Sequence, residues 1–148
     1  MNINLTGKNA LIGGSSKGLG LAIARQLAVS GANVTLMARS KTTLKKVVDQ
    51  LDTNSNQKHQ FLVVNFSDFD DFGSKMKNFF TNNKIDILIN NTQGPSPGSA
   101  IEKSIDDYQN AFDLLFKCAV FTSNLALPHM QKQKWGRIVN VSSISVRE

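Results

Sequence analysis

The sequence predicts a doubly wound α/β fold with a parallel sheet. Short apolar runs alternate with helical stretches along all 148 residues. Most of those runs are apolar on both faces, as buried parallel strands require. Such alternation builds right-handed βαβ crossovers. The first strand is expected over Asn9–Gly13, around Ala10-Leu11-Ile12. Leu21-Ala22-Ile23-Ala24 then marks a helix over Gly18–Ser30, which Gly31 stops as a C-terminal cap. A strand over Asn33–Ala38 and a helix over Lys41–Leu51 follow, then a strand over Gln60–Asn65. Ser67 or Asp68 can cap the next helix, Asp68–Asn82. A strand over Ile85–Asn90 leads into Gly94-Pro95-Ser96-Pro97-Gly98, a loop by composition. A long helical stretch from about Ser104 to Gln133 precedes the fifth strand, Arg137–Ser143. No internal boundary, repeat or low-complexity segment interrupts residues 1–148, so one domain is expected.

Composition narrows the setting. Hydrophobic residues make up 41% of the chain, enough for a sizeable core. Seventeen basic and eleven acidic residues give a net charge of +6. The lysines are spread from Lys8 to Lys134 with no dense block, so a solvated basic surface is expected and not a nucleic-acid patch. Anionic small molecules suit the same field. Cys118 is the only cysteine, which leaves no internal disulfide and fits a reducing, cytoplasmic location. No secretory signal is visible at Met1-Asn2-Ile3-Asn4-Leu5. No apolar run approaches the roughly 20 residues of a spanning helix, so no membrane is expected. His59 and His129 lack ligand spacing, so no metal site is expected. His129 reads as the end of the long helix, after Pro128.

Gly14-Ser15-Ser16-Lys17-Gly18-Leu19-Gly20 lies between the first strand and the first helix. Glycines there allow a tight turn and let the backbone approach a pyrophosphate. The first-turn N–H groups and the helix dipole then favour the anion. The expected ligand class is a dinucleotide, since a strand precedes the glycines and a helix follows them; a plain glycine-rich turn is the alternative reading of the triplet alone. The second strand ends at Arg39-Ser40, the position that faces the adenosine ribose in such folds. An acidic residue there would accept from a 2′-hydroxyl, and none stands between Leu36 and Ser40. Arg39 offers a fork suited to a phosphate, and Lys17 adds a second cation. The pattern points to NADP over NAD. A strand-end arginine in water is the plainer reading of the same residue.

Three motifs occur in order: Gly14-x3-Gly18-x-Gly20, Asn90-Asn91-Thr92 and Gly136-Arg137-Ile138-Val139-Asn140-Val141-Ser142-Ser143. Together they resemble the short-chain dehydrogenase/reductase family, and most closely its 3-oxoacyl-carrier-protein reductases. The resemblance covers essentially the whole chain. It implies a Rossmann fold and an NADP-dependent oxidoreductase that moves a hydride between nicotinamide and a carbonyl or secondary alcohol, with a 3-oxoacyl thioester one such substrate. By position, Gly14, Ser15, Ser16, Lys17, Gly18, Leu19 and Gly20 would hold the pyrophosphate. Asn65 and Phe66 would lie beside the adenine, and Asn91 and Thr92 beside the nicotinamide ribose. Ser143 would be the catalytic serine that hydrogen-bonds the substrate carbonyl. The long helical stretch would build a dimer or tetramer interface in the full-length protein. On the residues alone, Asn90-Asn91 also reads as a strand-end turn. Ser142-Ser143 likewise reads as strand-end hydroxyls serving the backbone.

Departures from the family pattern are equally specific. Gly13 replaces a threonine and Asn65 an aspartate. Gln93 replaces a glycine, where a side chain would crowd the cofactor. Leu115 stands in place of the asparagine that supports a proton-relay water. The family's Tyr-x3-Lys pair is not among these residues. The one tyrosine, Tyr108, is followed four positions later by Phe112. The sheet would accordingly be cut off after its fifth strand. Two expectations follow: an NADP-dependent reductase whose acid lies outside these residues, or a dinucleotide-binding module without catalysis. Phe112, Leu115, Phe116, Val120 and Phe121 are expected to pack in a core or an interface.

Overall fold

The computed structural model describes residues 3–143. Five parallel strands form one sheet: β1 (Asn9–Ile12), β2 (Asn33–Ala38), β3 (Gln60–Val63), β4 (Ile87–Asn90) and β5 (Arg137–Asn140). Their spatial order is β3-β2-β1-β4-β5. Crossover helices α1 (Gly18–Val29), α2 (Lys41–Val48) and α3 (Phe69–Asn82) join the first four strands. The last crossover holds α4 (Ile105–Phe112) and α5 (Cys118–Lys132), joined by one π-helical turn over Asp113–Lys117.

Side-chain alternation along each strand divides the interior into two layers. Ala10, Ile12, Val34, Leu36, Ile87 and Ile89 meet Ala24 and Ala28 of α1 and Leu44 and Val47 of α2. Leu11, Met37 and Leu88 point the other way, to Phe72, Met76 and Phe79 of α3 and Ala126 and Met130 of α5. Helices therefore cover both faces, and the doubly wound expectation holds. The strand positions hold too, with ends that retreat: β3 stops at Val63, β4 starts at Ile87 and β5 stops at Asn140. The second helix ends at Val48, short of Leu51. Its C-cap Asp49 and a further turn carry the chain to Leu51, which still packs into the first layer.

Local chemistry sets the helix ends. Gly31 has φ +95° and its N–H donates to the Ala28 carbonyl (2.8 Å), the left-handed stop after α1. Asp68 caps α3 by accepting from the Asp71 N–H (3.1 Å). Ser104 and Asp107 form a reciprocal capping box on α4. Pro128 lies inside α5, so His129 does not end that helix, which runs on to Lys132.

From Ile105 to Lys132 the backbone is continuously helical for 28 residues, with mean hydropathy 1.2 over its most apolar window. The expectation that no segment is long and apolar enough to span a bilayer is therefore corrected. By length and composition this one is. Its setting here is a crossover helix: Cys118, Thr122, Ala126 and Met130 are buried against the sheet. The opposite side leaves Phe112, Leu115, Phe116 and Val120 between 42% and 57% exposed, so of the five expected packing residues only Phe121 joins the core.

The two edges of the sheet differ chemically. At the N-terminal edge the Asp86 carboxylate, 4% exposed, gathers partners from β1 and from the end of α5. It accepts from the Asn9 N–H (2.8 Å) and from Gln133 Nε2 (2.6 Å), and His129 Nε2 lies at 3.2 Å. At the C-terminal edge the strands open into a cleft.

Candidate functional site

Every sequence-predicted site residue leaves its strand at that C-terminal edge. The glycine turn follows β1, Arg39 and Ser40 follow β2, Asn65 and Phe66 follow β3, Asn91 and Thr92 follow β4, and Ser143 follows β5. The order β3-β2-β1-β4-β5 reverses direction between β1 and β4, and the glycine turn and Asn91 meet there. In open α/β sheets that switch point is where the crevice forms.

A cleft of about 720 Å³ opens over it. Gly14, Ser16, Lys17 and Gly18 line one wall, Arg39, Ser40 and Thr43 a second, and Asn91, Thr92 and Gln93 a third. Among the described residues no carboxylate lines this cleft, while two cations do. Gly14 and Gly18 have φ of +55° and +58°. A Cβ at Gly18 would meet nothing within 4 Å, so its backbone faces open space. A Cβ at Gly13 or Gly20 would instead strike the backbone oxygens of Asn91 and Gly14. The glycines thus divide the work: Gly18 opens the approach, while Gly13 and Gly20 let β1, β4 and α1 close on one another.

The N-terminus of α1 is chemically distinct. Ser40, Asp68 and Ser104 each cap their helices with a side-chain oxygen. At α1 the N-cap is Lys17, which makes no side-chain cap bond, and the first turn holds no acidic residue. Its leading N–H groups are therefore left to a partner from the cleft.

Ser15 corrects one expectation. It is fully buried and turned away from the cleft. Its hydroxyl lies 2.9 Å from the Ile12 carbonyl, and its oxygen accepts from the Met37 N–H (2.9 Å). Ser15 pins the turn to β1 and β2 and offers no side chain to a phosphate. Leu19 is 57% exposed in the first turn of α1 and is not among the residues that line the cleft.

Asn91 donates from Nδ2 to the Gly13 carbonyl (3.0 Å), which holds the end of β4 against the turn. Asn90 donates to Ser123 Oγ (3.1 Å) and Asn140 Oδ1 (2.8 Å), linking β4, α5 and β5. The first asparagine of the pair is thus a strand-end brace, and the Asn140 partnership was not anticipated. Asn65 Oδ1 accepts from the Ser67 N–H (3.2 Å), which leaves its amide N–H groups facing outward. The Phe66 ring rests on buried Phe72 with centroids 5.1 Å apart. Ser40 Oγ caps α2 at the Thr43 N–H (3.3 Å) and lies 2.9 Å from Thr43 Oγ1. Thr43 was missed, although Ser-x-x-Thr at a helix start is a visible capping pattern.

Gln93 was expected to crowd the cleft. It does line the cleft, where its Oε1 accepts from Arg39 Nη2 at 3.1 Å across the turn that separates β2 from β4. Beyond this pair lies a second cavity of about 760 Å³, lined by Asn65, Phe69, Lys103 and Tyr108 among others. The Tyr108 hydroxyl donates to the Ala100 carbonyl (3.0 Å). Leu115 sits within the π-turn with no polar group to offer. His59 bridges the Val34 N–H at Nδ1 (3.1 Å) and the Asp52 carbonyl at Nε2 (2.8 Å), a structural role. Among the described residues no group of three or more His, Cys, Asp or Glu is placed to hold a metal.

Comparison with known proteins places these features in a wider set. The family model for short chain dehydrogenase matches residues 8–148. A fatty acyl-CoA reductase of Acinetobacter baylyi is 36% identical over 147 residues, covering 97% of this chain and 49% of that protein. A 3-oxoacyl-acyl-carrier-protein reductase of Aquifex aeolicus is 29% identical, covering 97% of this chain and 58% of that one. The chain therefore spans about half to three-fifths of the curated relatives it matches. Among solved structures, L-sorbose reductase of Gluconobacter frateurii, complexed with NADPH and L-sorbose, superposes with a TM-score of 0.88 at 28% identity. That match covers 99% of this chain and 56% of the other. A 3-oxoacyl-acyl-carrier-protein reductase of Agrobacterium tumefaciens with NADP bound gives 0.85 at 28% identity, covering 95% and 54%.

Proposed function

The chain belongs to the short-chain dehydrogenase family, and on that premise we propose that it binds NADP and serves an oxidoreductase acting on a carbonyl or secondary alcohol. The observation that carries the cofactor choice is the cleft's charge: Lys17 and Arg39 line it and, among the described residues, no carboxylate does. An acidic residue at the β2 tip would repel a 2′-phosphate, whereas a guanidinium grips one with paired N–H donors. Two solved relatives hold NADPH or NADP, which supports the same choice.

The residues present fit such a cofactor. The backbone at Ser16–Gly18 and the uncapped start of α1 receive the pyrophosphate, and Gly18 leaves the space it needs. Arg39 and Ser40, at the start of α2, take the 2′-phosphate. Asn65 and Phe66 would flank the adenine, and Asn91 and Thr92 would flank the nicotinamide ribose. When bound, the nicotinamide supplies the hydride. Ser143, just past β5 at the same edge, donates a hydrogen bond to the substrate carbonyl and orients it. Tyr108, the one tyrosine in the sequence, has its hydroxyl committed to the Ala100 carbonyl.

A 3-oxoacyl thioester is the finer substrate reading, supported by relatives named for acyl-carrier-protein and acyl-CoA reduction. The exposed Phe112, Leu115, Phe116 and Val120 support self-association through α4 and α5 in the full-length protein. A cytoplasmic location accompanies this reading. A second reading, cofactor binding without catalysis, rests on Leu115 in place of a polar relay residue. Assaying the full-length gene product for NADPH oxidation against 3-oxoacyl thioesters and small ketones separates the two. Turnover supports the reductase; NADPH binding with no turnover on any carbonyl supports the module.

A further inference from the structure

Arg39 and Gln93 lie 54 positions apart and come from opposite sides of the glycine turn. One follows β2 and the other β4, with β1 between them in the sheet. Their hydrogen bond closes a bridge across the cleft. The two cavities flanking the bridge share three lining residues, Arg39, Gln93 and Phe66. Phe66 is itself backed by Phe72, with ring centroids 5.1 Å apart.

We propose that Gln93 is a specificity-determining residue: its carboxamide holds the Arg39 guanidinium in place for the 2′-phosphate and so widens the preference for NADPH over NADH. The inference rests on the cofactor reading above and deepens it. A guanidinium carries five N–H donors, and the bond to Gln93 Oε1 engages one nitrogen, Nη2. Donors remain for a two-point grip on phosphate. An exposed arginine held beforehand loses less rotamer freedom on binding than one that is not. The amide is neutral, so it steadies the cation without cancelling its charge. Its own N–H groups add donors on the same side. A carboxylate at position 93 would do the reverse, pairing with the fork and opposing the phosphate.

The test is calorimetric titration of the full-length protein with NADPH and with NADH, for the parent, Gln93→Ala, Gln93→Glu and Arg39→Ala. Gln93 is exposed, so thermal melts should be unchanged by its substitutions. Gln93→Ala should weaken NADPH about three- to tenfold and leave NADH unchanged. Gln93→Glu should weaken NADPH by more than about tenfold. The proposal is overturned if Gln93→Ala keeps the parent's NADPH-to-NADH ratio, weakens both equally, or tightens NADPH. If Arg39→Ala also keeps the parent ratio, the cofactor reading itself fails. If only Arg39→Ala collapses the ratio, that reading stands and the role of Gln93 falls.

Discussion

Asn91 donates its side-chain amide to the carbonyl of Gly13, and the same amide nitrogen lies where a Cβ on Gly14 or Gly20 would have to go. One side chain thereby fills the gap that the glycines leave and ties β4 to the turn between β1 and α1. Substituting Gly20 with alanine forces the methyl into Gly14 and Asn91. A stability loss of about 1–3 kcal/mol is expected, with NADPH binding lost as the turn is displaced. Thermal melts and NADPH fluorescence titration of Gly20→Ala check it. Asn91→Ala should cost about 1 kcal/mol and loosen the turn without the steric clash.

The Asp86 cluster predicts a pH signature away from the cleft. Burial alone would raise this carboxyl's pKa. The bonds from the Asn9 amide, Gln133 and His129, with Lys8 nearby, outweigh burial and hold it below 3.8. A depressed folded pKa stabilises at pH above the unfolded value, and that contribution disappears as pH falls through the folded one. Asp86→Asn should therefore melt lower than the parent across pH 6–8, by about 1.5–3 kcal/mol. The difference should shrink below about pH 4. A constant gap at all pH values would refute the assignment.

Cys118 is buried in the second layer, and its pKa is pushed up to about 11 by burial, with Asp113 adding to the rise and Lys117 opposing it. The thiolate needed for alkylation is therefore scarce at neutral pH. Iodoacetamide at pH 7.5 should leave the native protein unlabelled and label it once on denaturation, as read by mass spectrometry.

The exposed stripe on α4 and α5 predicts an oligomer that a charge can break. Phe112 and Phe116 stack on each other, centroids 5.1 Å apart, while each remains more than half exposed. Phe116→Asp should shift the full-length protein to a smaller species in light scattering and leave its secondary structure intact. An unchanged mass would remove this stripe from the interface.

The strands were legible because their residues are apolar on both faces. Leu88 between Ile87 and Ile89 needs a cover on each side, which the helices of a doubly wound sheet supply. The glycine turn and Arg39 were legible because each carries its chemistry locally. Ser15 was misread because its neighbours in sequence face the cleft. Only the β1–β2 contact, set by the three-dimensional turn, directs its hydroxyl to Met37. The Gln93–Arg39 bond and the Asn90–Asn140 pair lie beyond local reading for the same reason. Each joins residues about fifty positions apart, through a strand order that the chain does not write out. The apolar length of Ile105–Lys132 was underestimated because three aspartates and a lysine break the run, while the backbone passes through them as one helix.

Selection of a 2′-phosphorylated dinucleotide at the β2 tip stands or falls on Arg39, and Arg39→Asp reverses the charge there. NADPH and NADH affinities are measured by titration for the parent and the variant of the full-length protein. The parent should favour NADPH, and Arg39→Asp should weaken NADPH by about 10- to 100-fold with NADH unchanged or tighter. Equal NADPH affinity in the two proteins would contradict the account.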